Sequence, residues 1–355
     1  MPKLNLALQG GGSHGAFTWG VLDGLLADGR IEPEGLSGTS AGAVNAVALA
    51  SGWAGAARSG GDPREAARES LSRIWGQVAA WGALGAWPQR IAAMLWGGVV
   101  SPYQANPLDI NPLRDLLARE IDFEAIARHP VLRVFVSATH VATGKAAVFT
   151  GSRLGVDEVM ASCCLPMLFK AVEIDGSAYW DGGYSVNPAL GPLIHGCESA
   201  DLMLVQINPV RRDATPRTTA EILDRVSELT FNASLLTQIR AIDYVNRLVA
   251  EGSLSPARGK LMRVHRIDGG PATANYPAGT RGNADAAMLA ELFEAGRLAA
   301  AQWLKLHFHA LGRSATVDIE RDYLDDTRLA LPARTAPEAK RRGGWRAWLA
   351  RLRFS

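Results

Sequence analysis

The stretch of sequence that decides the fold is Gly35-Leu36-Ser37-Gly38-Thr39-Ser40-Ala41-Gly42-Ala43-Val44-Asn45-Ala46-Val47-Ala48. Its first six residues lead directly into small apolar residues, which suit a helix packed closely on a sheet. Residues 38–42 also match the pattern G-x-S-x-G. In this pattern the serine lies on a cramped strand-to-helix turn, and Gly38 and Gly42 relieve the crowding on either side. The turn would hold Oγ of Ser40 out at a helix N-terminus, so Ser40 is a candidate nucleophile.

The residues before this stretch predict the opening of an α/β fold. Residues 4–9 form a short apolar run that stops at three glycines, which is typical of a strand ending in a tight turn. Residues 14–27 then carry apolar side chains at helical spacing. A strand, a helix, a turn and a second helix within 50 residues favour alternating strands and helices. Residues 131–138 and 202–207 are further predicted strands, and residues 170–180 predict a hairpin that turns at Asp175-Gly176.

The glycine cluster Gly10-Gly11-Gly12 has two interpretations. At a strand end before a helix, its backbone N–H groups could converge on an anion and form an oxyanion hole. Alternatively, Gly10, Gly12 and Gly15 match the dinucleotide pattern G-x-G-x-x-G, with Glu32 or Glu34 as the acid that such a site expects. The dinucleotide interpretation leaves the serine turn unexplained, so the oxyanion hole is preferred.

A third motif, Asp181-Gly182-Gly183, follows far downstream. Together with Gly10-Gly11-Gly12-Ser13-His14-Gly15 and Gly38-Thr39-Ser40-Ala41-Gly42, it resembles the patatin-like phospholipase family of bacterial type. The stretches Ala161-Ser162-Cys163-Cys164-Leu165-Pro166 and Asn187-Pro188 resemble the family's surroundings of its aspartate. The similarity covers roughly residues 3–210, and three motifs in this order are far more specific than any one alone.

The resemblance implies both a fold and a chemistry. The implied fold is a three-layer α/β/α arrangement with a central mixed, mostly parallel sheet and a helical C-terminal extension. The implied activity is lipid ester hydrolysis, as a phospholipase A, lysophospholipase or esterase, through an acyl-enzyme intermediate and without metal or cofactor. Ser40 would be the nucleophile and Asp181 the general base of a dyad. Six further residues would support the motifs, namely His14, Gly15, Gly38, Gly42, Gly182 and Gly183. The family usually has arginine where this sequence has His14, and histidine is not always charged.

Two alternatives to the dyad enzyme stay open. A histidine after Asp181 could complete a triad, and the sequence offers His195, His265, His307 and His309. His195 is closest to Asp181, but its apolar neighbours favour a packed or solvent-tipped helical position. The other alternative is a lipid-binding protein that keeps the fold without catalysis. A binding module has no use for a strained nucleophile, so the enzyme is preferred.

The chain divides into three predicted parts. Residues 1–210 form the patatin-like catalytic core, and residues 211–330 form a helical extension packed on it. The extension contains a helix over 218–249, with Thr218 and Glu221 spaced as a capping box, and another over 284–306. Composition shifts near residue 331, where a basic amphipathic tail over 331–355 begins.

Two segments suggest contact with a membrane. Residues 333–355 carry seven basic side chains against one acid, in a chain of net charge +2, and Trp345 and Trp348 would share one helical face between the tail arginines. This pattern predicts a peripheral anchor on anionic lipid, with a solvated tail as the alternative and no nucleic acid as partner. Residues 74–100 contain four of the ten tryptophans, which predicts either helices that cover the core or a lid beside the active site.

The N-terminus lacks the apolar core of a signal peptide, and no stretch of about 18 apolar residues occurs. We therefore expect a cytoplasmic protein with peripheral membrane association. Cys163, Cys164 and Cys197 fit neither a disulfide framework nor a zinc pattern, so buried thiols are expected. The sequence leaves the acyl chain, the head group and homo-oligomer formation open.

Overall fold

The computed structural model describes residues 1–83, 101–106, 109–129, 131–212, 214–255 and 258–324. In this part of the chain, one eight-stranded mixed sheet runs in the order β5-β6-β3-β2-β1-β7-β8, with β4 paired to β3. The strands are β1 (Lys3–Leu8), β2 (Glu32–Thr39), β3 (Arg133–His140), β4 (Ala146–Thr150), β5 (Val172–Ile174), β6 (Ser177–Asp181), β7 (Asp201–Gln206) and β8 (Arg263–Asp268). Neighbouring strands are parallel from β3 through β2, β1 and β7 to β8. Strands β4 and β6 pair antiparallel with β3, and β5 pairs antiparallel with β6.

Helices cover both faces of the sheet, as the predicted three-layer fold requires. The described α-helices are α1 (Gly15–Asp28), α2 (Ala41–Ser59), α3 (Pro63–Ala83), α4 (Pro102–Ala105), α5 (Pro112–Glu120), α6 (Phe123–Arg128), α7 (Val156–Ser162), α8 (Gly191–Gly196), α9 (Thr219–Ala250), α10 (Gly270–Ala274) and α11 (Ala286–His307). Along β7, Met203 and Val205 join the core under α1, α2, α3 and α11, while Leu202 and Leu204 join the core under α8 and α9. A central strand with both faces buried reads as a continuous apolar run.

The sequence predicted most elements near the site. The hairpin β5–β6 turns at Asp175 and Gly176, whose φ angles are +50° and +74°, and the capping box of Thr218 and Glu221 begins α9 as predicted. The predicted helix over 284–306 corresponds to α11.

Strand β8 was missed, because its sequence Arg-Val-His-Arg-Ile-Asp contains only two apolar residues and lacks the regular alternation typical of a half-buried strand. The segment predicted as a purely helical extension therefore also contributes an edge strand to the sheet.

Several sequence predictions fall on residues outside the described part. These are most of the tryptophan-rich segment, from residue 84 to residue 100, and the whole basic tail from 331 to 355. Of the four tryptophans in the segment, Trp75 and Trp81 are described. Among the described helices, none combines the length and the apolar character needed to cross a bilayer.

Candidate active site

Ser40 lies on a strained turn between β2 and α2, as the G-x-S-x-G pattern predicts. Its φ and ψ angles are +55° and −126°, a backbone conformation that residues other than glycine rarely adopt. The two flanking glycines are required by close packing. A Cβ at Gly38 would lie 2.3 Å from the carbonyl oxygen of Gly42, and a Cβ at Gly42 would lie 2.2 Å from that of Leu8. The turn is thus built so that only Ser40 carries a side chain at its tip.

Strand register brings Asp181 beside Ser40. Thr39, the residue before Ser40, pairs with Ser137 of β3, and Asp181 pairs with Ala138, the next residue along β3. Strand β4 pairs with both of these β3 residues, so β2 and β6 lie along the other edge of β3, end to end. Gly182 lies at this junction, since a Cβ there would lie 2.2 Å from the Ser137 carbonyl oxygen. Two residues separated by 141 positions of sequence thus become neighbours.

Asp181 is a buried carboxyl with an unusual titration. Its side chain is fully buried, and Oδ1 accepts a 2.8 Å hydrogen bond from the backbone N–H of Gly183. Burial raises the pKa of Asp181 to about 7, while the Gly183 N–H and the Ser40 hydroxyl each lower it. The hydroxyl is therefore near enough to act on the carboxylate, although Oδ2 accepts no hydrogen bond of standard geometry from the described residues. In enzymes without bound substrate, catalytic hydrogen bonds are often long or poorly aligned, and they shorten when substrate binds.

The C-terminal end of α7 and the residues directly after it hold the backbone of both Ser40 and Asp181. The backbone N–H of Ser40 donates to Oγ of Ser162 at 2.9 Å, and the backbone N–H of Asp181 donates to the carbonyl of Cys164 at 2.7 Å. Ser162 and Cys164 are buried. Burial also raises the pKa of the Cys163 and Cys164 thiols, which keeps them protonated. The role of Ser162 could not be read from sequence, because a serine that caps a distant backbone leaves no local pattern.

The glycine loop lies directly against Ser40. A Cβ at Gly10 would lie 2.8 Å from Cβ of Ser40, so the loop can approach the serine only with glycine at that position. The Gly10 peptide is fixed from both sides. Its N–H donates to Oδ1 of Asn187 at 2.6 Å, and its carbonyl accepts from Nδ2 of Asn208 at 2.9 Å.

The three predicted oxyanion-hole residues are therefore not equivalent. The N–H of Gly10 is already committed to Asn187. Gly11 and Gly12 line the cavity beside Ser40, and within the described residues their N–H groups have no protein acceptor. Gly12 also needs to be glycine, because its φ is +56°. Gly11 and Gly12 are thus the better placed donors for a developing oxyanion.

The remaining motif residues pack around this centre. His14 is buried, its Nε2 lies 2.8 Å from Oγ1 of Thr280, and burial and the charge of Arg281 lower its pKa to about 3. A Cβ at Gly15 would lie 2.7 Å from Cβ of Ala41, and a Cβ at Gly183 would lie 2.0 Å from the ring of Phe231. The supporting glycines are close-packing positions, and His14 is neutral at physiological pH.

A cavity of about 800 Å³ opens onto Ser40 and Asp181. Its wall is largely apolar, and the apolar side chains include Val44, Ile74, Val78, Met160, Leu168, Val172 and Phe231. Trp75 and Trp81 of the tryptophan-rich segment also line it. Polar and charged residues, among them Arg114, Asp157 and Lys170, also line it. A cavity with a mainly apolar wall is the usual form of a small-molecule site.

The alternative assignments find no support in this geometry. His195 is exposed on α8, His265 is buried against Asp201 at 3.1 Å, and none of the histidines in the described part lines the cavity. Glu34, the acid considered for a dinucleotide site, accepts hydrogen bonds from the N–H groups of Glu198 and Ser199 instead. It lies near the start of β2, at the opposite end of the strand from Ser40.

Comparisons with known proteins agree with the motifs. A model of the patatin-like phospholipase family matches residues 6–194, which is more than half of the 355 residues. Among solved structures, the crystal structure of VipD from Legionella pneumophila matches at 13% sequence identity and a TM-score of 0.37, over 92% of this chain and 73% of that chain. A comparison with curated proteins finds no match.

Proposed function

The chain belongs to the patatin-like phospholipase family, and from that premise we propose that Ser40 and Asp181 form a dyad that hydrolyses a lipid ester. The observation that carries the proposal is the placement of a strained serine and a buried carboxyl at neighbouring positions along β3. Asp181 lies next to the turn of Ser40, and its pKa of about 7 suits a group that must both accept and return a proton near neutral pH.

The reaction would proceed in two steps. In the first, Asp181 takes the proton of the Ser40 hydroxyl while Oγ attacks the ester carbonyl carbon, and the N–H groups of Gly11 and Gly12 stabilise the oxyanion. Collapse of this intermediate expels the alcohol, which receives the proton from Asp181. In the second, Asp181 takes a proton from water, the resulting nucleophile attacks the acyl-serine, and Ser40 regains its proton as the fatty acid leaves.

The cavity supports an acyl chain as the group bound beside Ser40. Its apolar side chains match a hydrocarbon, and its volume of about 800 Å³ lies within the usual range of small-molecule sites. Phospholipase A, lysophospholipase and simple esterase activities are all consistent with this wall. We also propose peripheral contact with anionic membrane, on the charge and tryptophan content of residues 333–355 alone.

Two experiments test the proposal. A fluorophosphonate probe should label the wild-type protein stoichiometrically and should not label Ser40→Ala, because the probe reports an activated serine. A panel of phospholipids, lysophospholipids, neutral lipids and short-chain esters, assayed with both proteins, should then identify the substrate class. Absence of labelling in a folded wild type, together with lipid binding, would instead support the non-catalytic binding protein.

A further inference from the structure

Arg281 lines the cavity although it is far along the sequence from every motif. It belongs to the 3₁₀ helix Ala278–Gly282, well beyond the residues 6–194 that the family model matches. The same cavity is lined by Ser40, Gly11 and Gly12. No sequence pattern indicates a role for Arg281, since a lone arginine in an irregular segment resembles any surface arginine.

Within the described residues, the partly buried guanidinium of Arg281 forms no direct ion pair. Nη1 donates to Oγ of Ser227 at 3.0 Å and Nη2 donates to Oδ1 of Asn208 at 2.6 Å, and both partners are neutral. Nε is buried without a hydrogen-bond partner in the described part of the chain. The nearby carboxylate of Glu228 is held instead by Arg212 at 2.6 Å and Arg225 at 3.1 Å. The carboxylates of Asp224 and Glu228 act on Arg281 only without direct contact. A largely desolvated charge without a directly bonded counter-ion is costly, so its place on the wall of the cavity that also holds Ser40 needs a reason.

Arg281 also holds the glycine loop in place. Asn208, which accepts its hydrogen bond, donates through Nδ2 to the carbonyl of Gly10. The main chain of Arg281 packs on the next part of the loop, because a Cβ at Gly12 would lie 2.3 Å from the Arg281 carbonyl oxygen. One residue therefore acts on both ends of the three-glycine loop.

The residue before Arg281, Thr280, contacts His14 of the glycine motif. Thr280 donates its hydroxyl to the carbonyl of Pro277 at 2.7 Å, so its oxygen accepts the Nε2–H of neutral His14. Position 14 is where the family usually has arginine, and in this chain it carries no charge at neutral pH. Among the described residues that line the cavity, Arg281 is the cation next to the glycine loop.

We propose that Arg281 is a positioning residue that takes over the work of a glycine-loop arginine. Through Asn208 it fixes the Gly10 peptide, which orients the N–H groups of Gly11 and Gly12, and its charge favours the oxyanion formed beside them. This inference rests on the proposed hydrolysis at Ser40. Asn208 and Arg281, which lie outside the residues that the family model matches, would then influence the rate of that reaction.

The test compares Arg281→Gln with wild type on a soluble short-chain ester. We expect kcat to fall about 10- to 100-fold, somewhat less than loss of a direct oxyanion donor, with KM changed by less than about twofold. Arg225→Gln is the matched control, because Arg225 is a nearby arginine of α9 that is ion-paired and does not line the cavity. It should keep kcat within about twofold of wild type.

A charge-relocation variant separates positioning from mere packing. In the Arg281→Gln background, His14→Arg should restore kcat by about threefold or more, since it returns a cation to the same loop. A purely structural role predicts no such rescue. If Arg281→Gln fails to fold, the decision passes to Arg281→Lys, which keeps the charge but lacks the planar fork that holds Ser227 and Asn208 through two separate nitrogens. A kcat reduced about threefold or more supports the proposal.

Two results would overturn the inference: a folded Arg281→Gln with kcat within about twofold of wild type, or a wild-type kcat in Arg281→Lys when that variant decides. Failure of the proposed function looks different. In that case the wild type itself neither reacts with a fluorophosphonate probe nor hydrolyses the ester, and the Arg281 variants have no rate to compare.

Discussion

Oδ1 of Asp181 accepts a hydrogen bond from the backbone N–H of Gly183, two residues further along the chain, at 2.8 Å. This bond fixes one carboxylate oxygen and leaves Oδ2 as the oxygen available to the Ser40 hydroxyl. The carboxyl is fully buried, and burial is the largest influence on its pKa, which rises to about 7. The Gly183 contact therefore orients a carboxyl whose pKa of about 7 lies near neutral pH.

The first prediction concerns the dependence of rate on pH. Because Asp181 must be unprotonated to act as base, kcat/KM on a soluble ester should rise with pH and level off above an apparent pKa near 7. Below that value it should fall about tenfold per pH unit. His14→Gln should keep the same apparent pKa, since His14 is already neutral over this range. A profile that is flat between pH 5.5 and 8 would contradict the assignment of Asp181.

The same raised pKa makes a prediction about stability. The folded protein binds the Asp181 proton more tightly than the unfolded chain, so the wild type loses stability as pH rises from about 3.8 to about 7. Asp181→Asn removes the buried charge and keeps an oxygen for the Gly183 N–H. It should raise the free energy of unfolding above pH 7 by up to roughly 4 kcal/mol, from about 1.4 kcal/mol per pKa unit. The gain should nearly vanish at pH 4, as measured by urea unfolding.

Asp201→Asn is the control of opposite sign. Asp201 is also buried, but Arg263 holds it at 2.8 Å and His265 at 3.1 Å, and these contacts lower its pKa. Its loss should destabilise the protein, and more so at pH 7 than at low pH. An Asp181→Asn variant less stable than wild type at pH 8 would show that the carboxylate contributes to folding rather than opposing it.

The sequence predicted the fold, and it indicated Ser40 and Asp181 as candidates for a dyad, because each of these features belongs to a local pattern. The turn at Ser40, the strand before Gly10 and the hairpin before Asp181 all have short-range signatures in residue spacing. The residues that it missed act at long range. Ser162 bonds the Ser40 backbone, Asn208 bonds the Gly10 carbonyl, and Arg281 bonds Asn208, all from remote segments. Such contacts have no period or motif. Strand β8 was missed for a related reason, since its pairing with β7 depends on tertiary structure.

The oxyanion loop can be tested at Gly12. Substitution by valine places a branched side chain at φ +56° and 2.3 Å from the Arg281 carbonyl oxygen, so the loop must move. We expect kcat to fall by about 10²-fold or more with a much smaller rise in KM, as for loss of an oxyanion donor. Gly176→Val is the control, because Gly176 also has positive φ, +74°, but has open space around it. Full activity in Gly12→Val would show that the N–H of Gly12 does not bind the oxyanion.

The dyad predicts that its two members are not additive. Ser40→Ala and Asp181→Asn should each lower kcat by about 10³-fold or more, and the double variant should be little worse than either, because the two residues act in one proton transfer. Circular dichroism would confirm that the variants remain folded. Substantial activity in folded Asp181→Asn would exclude Asp181 as base, and equal inactivity of folded His195→Ala would revive the triad.

The last prediction concerns residues 334–355, whose charge is known from the sequence alone. The segment carries seven basic side chains and one acid, with Trp345, Trp348 and Phe354 among them, and each cation near an anionic surface contributes about 1 kcal/mol. Deletion should leave hydrolysis of a soluble ester intact, because Ser40, Asp181 and the cavity lie before residue 324. It should weaken binding to anionic vesicles, and added salt should reproduce much of that loss in the full-length protein by screening. Equal sedimentation of truncated and full-length protein with anionic vesicles at low salt would rule out a membrane role for the tail.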